Sequence, residues 1–178
     1  MSEQSLPFAG RRWLIEAATV GQGRSGEVTA TAAECDSAAR ALNIIGCSGL
    51  VFKFEVRPLP GSRFQLKCYL RCDVVQASIV SLEPVAARID ERSDTELIPE
   101  GGSLPDTGEG PVDVLNAPVI ETYAEGRIDL GLLAFELLAI SLDPYPRLEG
   151  EALPEAGAGD LAVPSPFAAL ASLHKSKS

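Results

Sequence analysis

Apolar side chains are most concentrated over residues 130–142, where they occupy almost every position around a helical wheel. This pattern is typical of a helix that is buried on most of its surface. Asp129 precedes the run and is a candidate N-cap, because its carboxylate can accept hydrogen bonds from the free N–H groups of the first turn. Asp143 stands before Pro144, and a residue before proline disfavours the α conformation. We therefore predict a helix over residues 130–141.

Two other stretches alternate apolar and polar side chains, as half-buried strands do. Their apolar positions are Leu50, Phe52, Phe54 and Val56 in the first stretch, and Phe64, Leu66, Cys68, Leu70, Cys72 and Val74 in the second. Residues 58–62 form a short Pro- and Gly-containing turn between them, so the pattern predicts an antiparallel hairpin. After the second stretch the apolar positions change to Val75, Ala77 and Ile79, which predicts a bulge or bend near Gln76.

The N-terminal part contains a predicted strand over residues 11–18 and then glycines with G-x-G-x-x-G spacing at residues 21–26. A dinucleotide-binding loop needs its last glycine to open a helix directly. Here the helix signal comes later, at Thr31 and Glu34, which have the spacing of a capping box. The glycines therefore predict a hairpin turn without a cofactor, and the capping box predicts a helix over residues 32–43.

A third sheet strand is predicted after the hairpin, as far as about Ile89, with Pro84 marking an edge position or a local break. Residues 90–113 contain eight acidic residues, three prolines and a single arginine. Such a composition buries too little apolar surface to offset the entropy of ordering, so we predict a mobile acidic loop over about residues 90–116. A last strand is predicted over residues 117–123.

Together these elements predict one α+β domain over residues 1–147. Its curled antiparallel sheet of about five strands packs with two α-helices, and a disordered acidic loop interrupts it. Residues 148–178 are an acidic tail rich in proline and alanine. Within that tail, residues 166–170 suit either a short amphipathic helix that docks back on the domain or a peptide bound by a partner.

The charge of the chain is distributed unevenly. The formal net charge is −10; residues 1–72 carry nine Lys and Arg against six Asp and Glu, a net charge of +3, and residues 73–178 carry six against nineteen, a net charge of −13. Acidic surfaces are repelled by phosphate backbones, so basic proteins are the favoured partners.

The N-terminus lacks the pattern of a signal peptide, which predicts a cytoplasmic protein. The 13-residue apolar run is shorter than the roughly 20 residues of a membrane span.

The residues available for chemistry are few. Cys35, Cys47, Cys68 and Cys72 have no C-x-x-C spacing and are predicted to be free, buried thiols without a metal. His174, the only histidine, lies in the tail, so no Ser/His/Asp or Cys/His set can be assembled in the domain. We predict a protein without cofactor or catalytic residues; an enzyme would have to use a pair of carboxylates.

Candidate binding residues fall into three groups. Asp129, Glu136 and Asp143 are seven residues apart and would form an acidic line along the helix, either as its solvent-facing stripe or as a partner-binding stripe. Alternate positions on the hairpin form a candidate basic face, which comprises Lys53, Arg57, Lys67 and Arg71. The remaining candidates lie in two motif-like segments and are Gln76, Glu83, Tyr145 and Arg147.

These two segments, DVVQASIVSLEPVAARIDE at residues 73–91 and IDLGLLAFELLAISLDPYPR at residues 128–147, resemble the YceD family, the large ribosomal RNA subunit accumulation proteins. The terminal PFAALASL is similar to the ending of the alphaproteobacterial branch of that family. Many members have a cysteine where this chain has Ser78, and no cysteine follows Pro146 here. The zinc binding to which the cysteines of some members are suited is therefore not expected in this chain.

The resemblance implies a role in large-subunit ribosome biogenesis that supports the accumulation of large-subunit rRNA. With the charge distribution, it predicts a non-enzymatic factor that binds a basic ribosomal protein or a pre-large-subunit particle. The acidic loop is the first candidate surface and the acidic line the second, while the basic face would contact rRNA. Two alternatives remain open: a general acidic interaction module with no link to RNA, and a small carboxylate-dependent hydrolase.

Overall fold

The computed structural model describes residues 7–102 and 119–151. The chain divides into two units, Met1–Leu148 and Glu149–Ser178, and every described helix and strand belongs to the first. This unit has an α+β fold, as the sequence predicts, with a five-stranded sheet, a separate pair of strands and two α-helices. The predicted docking helix at residues 166–170 lies outside the described residues.

In chain order the strands are β1 (Leu14–Glu16), β2 (Arg24–Thr29), β3 (Gly46–Leu59), β4 (Arg63–Ala77), β5 (Pro84–Pro99), β6 (Val119–Tyr123) and β7 (Arg127–Asp129). The helices are α1 (Ala32–Ala41) and α2 (Leu130–Ser141), and two 3₁₀ helices, Arg11–Trp13 and Ala17–Thr19, flank β1. The main sheet has the order β2-β3-β4-β5-β6, and β1 pairs with β7. The strand predicted over residues 11–18 is therefore confirmed only at its centre.

The predicted hairpin is confirmed as the antiparallel pair β3–β4, in which Phe54 lies opposite Cys68. The apolar residues of both strands face inward, and α1 packs against β3 while α2 packs against β1, β4 and β5. Trp13 lies at the centre of an aromatic cluster in this core. Its ring centroid is 6.3 Å from that of Phe52 and 5.2 Å from that of Phe8.

The bulge predicted near Gln76 is absent from the β4–β5 register, which runs without a shift to the pair Ala77 and Pro84. Gln76 is buried on the face that Val74 also occupies. A polar side chain is tolerated there because its amide is satisfied: Nε2 donates to the carbonyl of Asp143 (2.9 Å), and Oε1 accepts from the amide of Asp143 (3.3 Å). In the sequence a buried glutamine looks like a surface residue, so the apolar and polar positions after Val74 wrongly indicate a change of face.

The strand that follows the hairpin differs from the prediction at both ends. The chain turns at residues 78–83, and Pro84 is the first residue of β5, a position where a proline costs no ladder hydrogen bond. β5 then runs to Pro99, so the acidic loop predicted over residues 90–116 is wrong for its first ten residues. Composition could not show that these acids lie opposite the cations of β4. Residues 103–118 lie outside the described part of the chain.

The fifth strand corrects the prediction of an antiparallel sheet. β6 pairs with β5 in parallel, from Thr95 opposite Val119 to Pro99 opposite Tyr123, so the sheet is mixed. A parallel neighbour requires a connection long enough to return along the sheet, and residues 100–118 provide it. This pairing places β6 and β7 beside the start of α2, and a cleft opens between the three elements.

The predicted capping box at the start of α1 is confirmed. The amide of Glu34 donates to Thr31 Oγ1 (3.3 Å), and the amide of Thr31 donates to the Glu34 carboxylate (2.7 Å). Glu34 also accepts from Trp13 Nε1 (2.9 Å) and pairs with Arg12. Burial opposes the ionisation of Glu34, but these donors outweigh it and lower its pKa from 4.5 to about 2.

Part of the stability of this domain should therefore be lost in acid. Since the folded-state pKa of Glu34 is about 2, below the unfolded value of 4.5, its contribution is complete above pH 4.5 and is lost as the pH falls toward 2. Urea unfolding of the wild type and of Glu34→Gln between about pH 6 and about pH 3 tests this, with a smaller loss expected in the variant. Equal losses in the two proteins would contradict it.

Candidate functional site

A cleft with a volume of about 480 Å³ opens between β6, β7 and the first half of α2. Five carboxylates line it, from Glu100, Glu121, Glu125, Asp129 and Glu136. Apolar side chains also line it, and among these Leu132 and Leu133 are partly exposed. Arg127 is the single cation among the described residues of the lining, and it is already paired with Glu125. We refer to this site as the acidic cleft.

Three elements bring these carboxylates together. Asp129 ends β7 and caps α2, since its Oδ1 accepts from the amides of Gly131 (2.9 Å) and Leu132 (3.0 Å). Glu121 enters from β6, and Glu136 lies two turns along α2. Burial, together with the neighbouring charges of Glu121 and Asp129, raises the pKa of Glu136. A bound cation would relieve this repulsion.

The acidic line predicted along α2 is not a continuous surface. Asp129 and Glu136 line the acidic cleft, but Asp143 lies beyond the end of the helix, where the backbone has become extended at Leu142. The carboxylate of Asp143 accepts from the amide of Tyr145 (2.8 Å). Helical spacing cannot continue past a helix end, so only two of the three predicted residues share a site.

The two segments that carry the family resemblance meet at the opposite end of α2. The bonds between Gln76 and Asp143 join them, and the amide of Ile79 donates to the carbonyl of Pro146 (2.9 Å). Ser78 closes the turn after β4, because its Oγ accepts from the amides of Val80 (3.1 Å) and Ser81 (3.3 Å). The two segments therefore form one structural unit, which we call the segment junction.

The surface of the segment junction is partly apolar. Ile79 and Ile140 line a shallow cavity of about 610 Å³, and Ile140 is 80 % exposed. Tyr145 is 65 % exposed beside it. The remaining candidates of this region, Glu83 and Arg147, are also exposed. Sequence reasoning missed Ile140 because an all-apolar helical wheel does not show which side faces solvent.

The four cations of the hairpin lie on the outer face of the sheet, but they do not make it basic. Ion pairs join Lys53 to Glu27 (3.1 Å), Arg57 to Glu55 (2.6 Å) and Lys67 to Asp94 (3.6 Å). Arg71 lies opposite Asp90 in the β4–β5 register. The acids come from β2, β3 and β5, so cations and anions alternate on this face. The predicted basic face is therefore corrected to a mixed-charge face.

The described residues offer little for metal chemistry. No group of three His, Cys, Asp or Glu residues within them could hold a metal ion. All four cysteines are free and buried, and burial raises the pKa of Cys68 to about 11, which keeps this thiol protonated at neutral pH.

Neither α1 nor α2 nor any shorter described helix is long and apolar enough to cross a membrane.

Comparison with known proteins does not extend the family resemblance. No protein-family model matches this chain, and no significant match was found among curated proteins or solved structures. The family resemblance therefore stays a prediction from the two segments, and the binding chemistry follows from the site itself.

Proposed function

We propose that this protein is a non-enzymatic factor of large ribosomal subunit biogenesis, which supports the accumulation of large-subunit rRNA by binding a basic ribosomal protein. The acidic cleft is the observation that carries the binding part of this proposal. Five carboxylates surround it, and its one described cation is neutralised within the cleft. The link to ribosome assembly rests on the resemblance of the two segments that form the segment junction.

The cleft matches the chemistry of lysine and arginine side chains. Both have an aliphatic stem that packs on apolar surface while the charged head stays hydrated. Leu132 and Leu133, which are partly exposed, supply such a surface, and Glu121 and Glu136 line the same cleft. Clustered carboxylates also attract cationic partners over a distance and raise their rate of association, an effect that salt weakens.

The geometry favours a protein partner over rRNA. Phosphate groups would be repelled by the acidic cleft. The cations proposed for RNA binding, among them Lys53 and Lys67, are paired with acids on the mixed-charge face. RNA would have to displace those acids before it could use the cations. A general acidic interaction module with no link to RNA would bind its partner in the same cleft. Only the identity of the partner distinguishes that alternative from the proposed function.

Removing charge from the cleft should slow association with a basic partner. We expect the variant Glu121→Gln with Glu136→Gln to bind a purified basic large-subunit protein roughly tenfold more slowly at low salt, with a flatter salt dependence. Dissociation should change much less. Asp129 is kept because it caps α2. Stopped-flow fluorescence at several salt concentrations provides the measurement.

A matched variant removes the same charge elsewhere. Glu27→Gln with Glu55→Gln changes two carboxylates on the outer face of the sheet, and it should associate nearly as fast as the wild type. If the cleft variant associates as fast as the wild type, the cleft is not the binding site. Capture of large-subunit proteins from a lysate, with and without RNase, tests the ribosomal link; partners lost after RNase treatment would place RNA in the complex.

A further inference from the structure

Three of the four thiols lie together in the core, where α1 packs against β3. Cys35 comes from the buried face of α1, Cys47 from the start of β3 and Cys72 from β4. Their exposed fractions are 3 %, 9 % and 1 %, respectively. The fold brings them together from elements that are separate in sequence, and we refer to these three residues as the thiol cluster.

A bulge in β3 turns Cys47 toward the other two thiols. The apolar inner positions of β3, such as Phe52, have even numbers, so strict alternation would place Cys47 on the outer face. The register with β4 shifts between residues 48 and 51, and Gly49 has a positive φ of 62° at this point. The bulge reverses the alternation, and Cys47 is therefore buried opposite Val74.

Hydrogen bonds join the three thiols in a chain. The amide of Leu50 donates to the sulfur of Cys35, the thiol of Cys35 donates to Cys47, and the thiol of Cys47 donates to Cys72. Donation from Cys47 lowers the pKa of Cys72, and it outweighs the opposing effects of burial and of the nearby charge of Asp73. Cys72 is therefore the acceptor at the end of the chain, with a second thiol in contact with its sulfur.

Cys68 provides a reference on the same strand. It lies on the same inner face of β4 as Cys72 and is also buried. Its sulfur accepts hydrogen bonds from Ser93 instead of from a thiol, and burial raises its pKa. One strand thus carries two buried thiols that differ in whether another thiol is their partner.

We propose that the thiol cluster is a redox site, in which a peroxide oxidises Cys72 and Cys47 to a reversible disulfide between β4 and β3. Cys72 supplies the attacking sulfur, Cys47 supplies the second sulfur, and Cys35 positions Cys47. A disulfide needs a sulfur–sulfur distance of about 2 Å, so the two side chains must approach from hydrogen-bond contact. Gly49 at the bulge gives the backbone the freedom for this movement.

The reaction balances with the peroxide as the only oxidant. The sulfur of Cys72 attacks one peroxide oxygen, the O–O bond breaks, and the other oxygen leaves as water, which gives a sulfenic acid on Cys72. The sulfur of Cys47 then attacks the sulfur of the sulfenic acid, so the S–S bond forms, the S–O bond breaks and a second water leaves. Two thiols are oxidised, the peroxide gains two electrons, and the thiol protons end in the water molecules.

This inference is independent of the proposed function, because it uses neither the acidic cleft nor the segment junction. Hydrogen peroxide is little larger than water, and local opening of the fold gives such a molecule access to buried groups. Burial slows the reaction of all three thiols, so the proposal concerns the order in which the cysteines react and the pair that becomes joined.

The test treats the reduced full chain with a small excess of hydrogen peroxide and then maps every cysteine by mass spectrometry. Trypsin places the four cysteines in different peptides, because Arg40, Lys53 and Arg71 lie between them. We expect the thiol count to fall from four to two, with the peptides of Cys47 and Cys72 joined. A dithiol reductant should restore all the thiols, since the disulfide is reversible.

The rates at two cysteines separate a redox site from a packed core. In the folded protein Cys72 should be oxidised roughly tenfold faster than Cys68, because only Cys72 has a thiol that donates to its sulfur. In urea, where neither sulfur has its partner, the two rates should be similar. Alkylation of the remaining thiols at successive times gives both rates, and this comparison needs no substitution that might affect folding.

Two serine variants assign the roles. Cys47→Ser keeps a hydroxyl donor beside Cys72 but removes the second sulfur, so oxidation should stop at a sulfenic acid on Cys72, which dimedone traps. Cys68→Ser is the matched control on the same strand, and it should form the disulfide as the wild type does. Circular dichroism verifies that both variants are folded.

Three results would overturn the proposal. The first is a folded protein that keeps its four thiols in peroxide or joins Cys35 to Cys47 instead. The second is equal rates for Cys68 and Cys72 in the folded protein, which would mean that the thiol cluster only fills space in the core. The third is a Cys47→Ser variant in which dimedone labels a cysteine other than Cys72.

Discussion

Replacing Trp13 with alanine will lower the free energy of unfolding by about 3–5 kcal/mol, the usual cost of truncating a large buried aromatic side chain. Trp13 is fully buried, and it joins three parts of the fold. Its ring contacts Phe8 of the N-terminal segment and Phe52 of β3, and its Nε1 donates to Glu34 of α1. The loss therefore combines a cavity with the removal of one hydrogen bond from a charged acceptor.

Trp13→Phe separates these two contributions. Phenylalanine keeps much of the apolar contact but cannot donate to Glu34, so we expect a loss of about 1–3 kcal/mol, mainly from the hydrogen bond to the charged group. Urea unfolding monitored by circular dichroism gives both values, since the variants have no tryptophan to report by fluorescence. A cost below about 1 kcal/mol for Trp13→Ala would show that the N-terminal segment does not form part of the cooperative core.

Elements with local signals could be predicted from the sequence. The start of α2 follows from Asp129 as an N-cap and its end from Pro144, and the structure places the helix at Leu130–Ser141. The capping box of α1 and the β3–β4 hairpin were predicted for the same reason. In each case the residues that determine the element are neighbours in sequence or follow its own periodicity.

Features set by distant residues could not be predicted in this way. The acids of β5 indicate a loop when they are considered alone, but Asp94 pairs with Lys67, and Asp90 accepts a hydrogen bond from the hydroxyl of Tyr69 (2.7 Å). The partner that stabilises each acid lies on β4 and is separated from it in sequence. The parallel direction of β6 has no local signal either, because it is defined by the pairing with β5 and not by the residues of β6 itself.

The candidate site could be predicted only in part, because some of its residues come from elements that are distant in sequence. Asp129 and Glu136 were found through helical spacing, whereas Glu100, Glu121 and Glu125 became visible only when β6 was placed beside β5. The positive charge of residues 1–72 and the negative charge of residues 73–178 are also not separate surfaces. Among the described residues, cations and acids alternate on the outer face of the sheet, and a group of five carboxylates lines the cleft beside α2.

The close approach of α2 to the N-terminal segment leads to a second prediction with a large effect. Alanine at an exposed helical glycine normally raises stability by about 1 kcal/mol. Gly131 differs, because an added Cβ would overlap the carbonyl oxygen of Phe8 and lie 2.9 Å from its carbonyl carbon. The obstacle is backbone, so it cannot move aside as a flexible side chain would, and overpacking of this kind costs about 1–3 kcal/mol or more.

We therefore expect Gly131→Ala to lower the free energy of unfolding by about 2 kcal/mol in spite of the better helix propensity of alanine. Ala139→Gly in the same helix is the matched control, and it should cost about 1 kcal/mol from propensity alone. Urea unfolding of the two variants and the wild type measures both effects. A stability gain of about 1 kcal/mol for Gly131→Ala would contradict this prediction. It would mean that the backbone around Phe8 is not fixed against the start of α2, the helix that borders the acidic cleft.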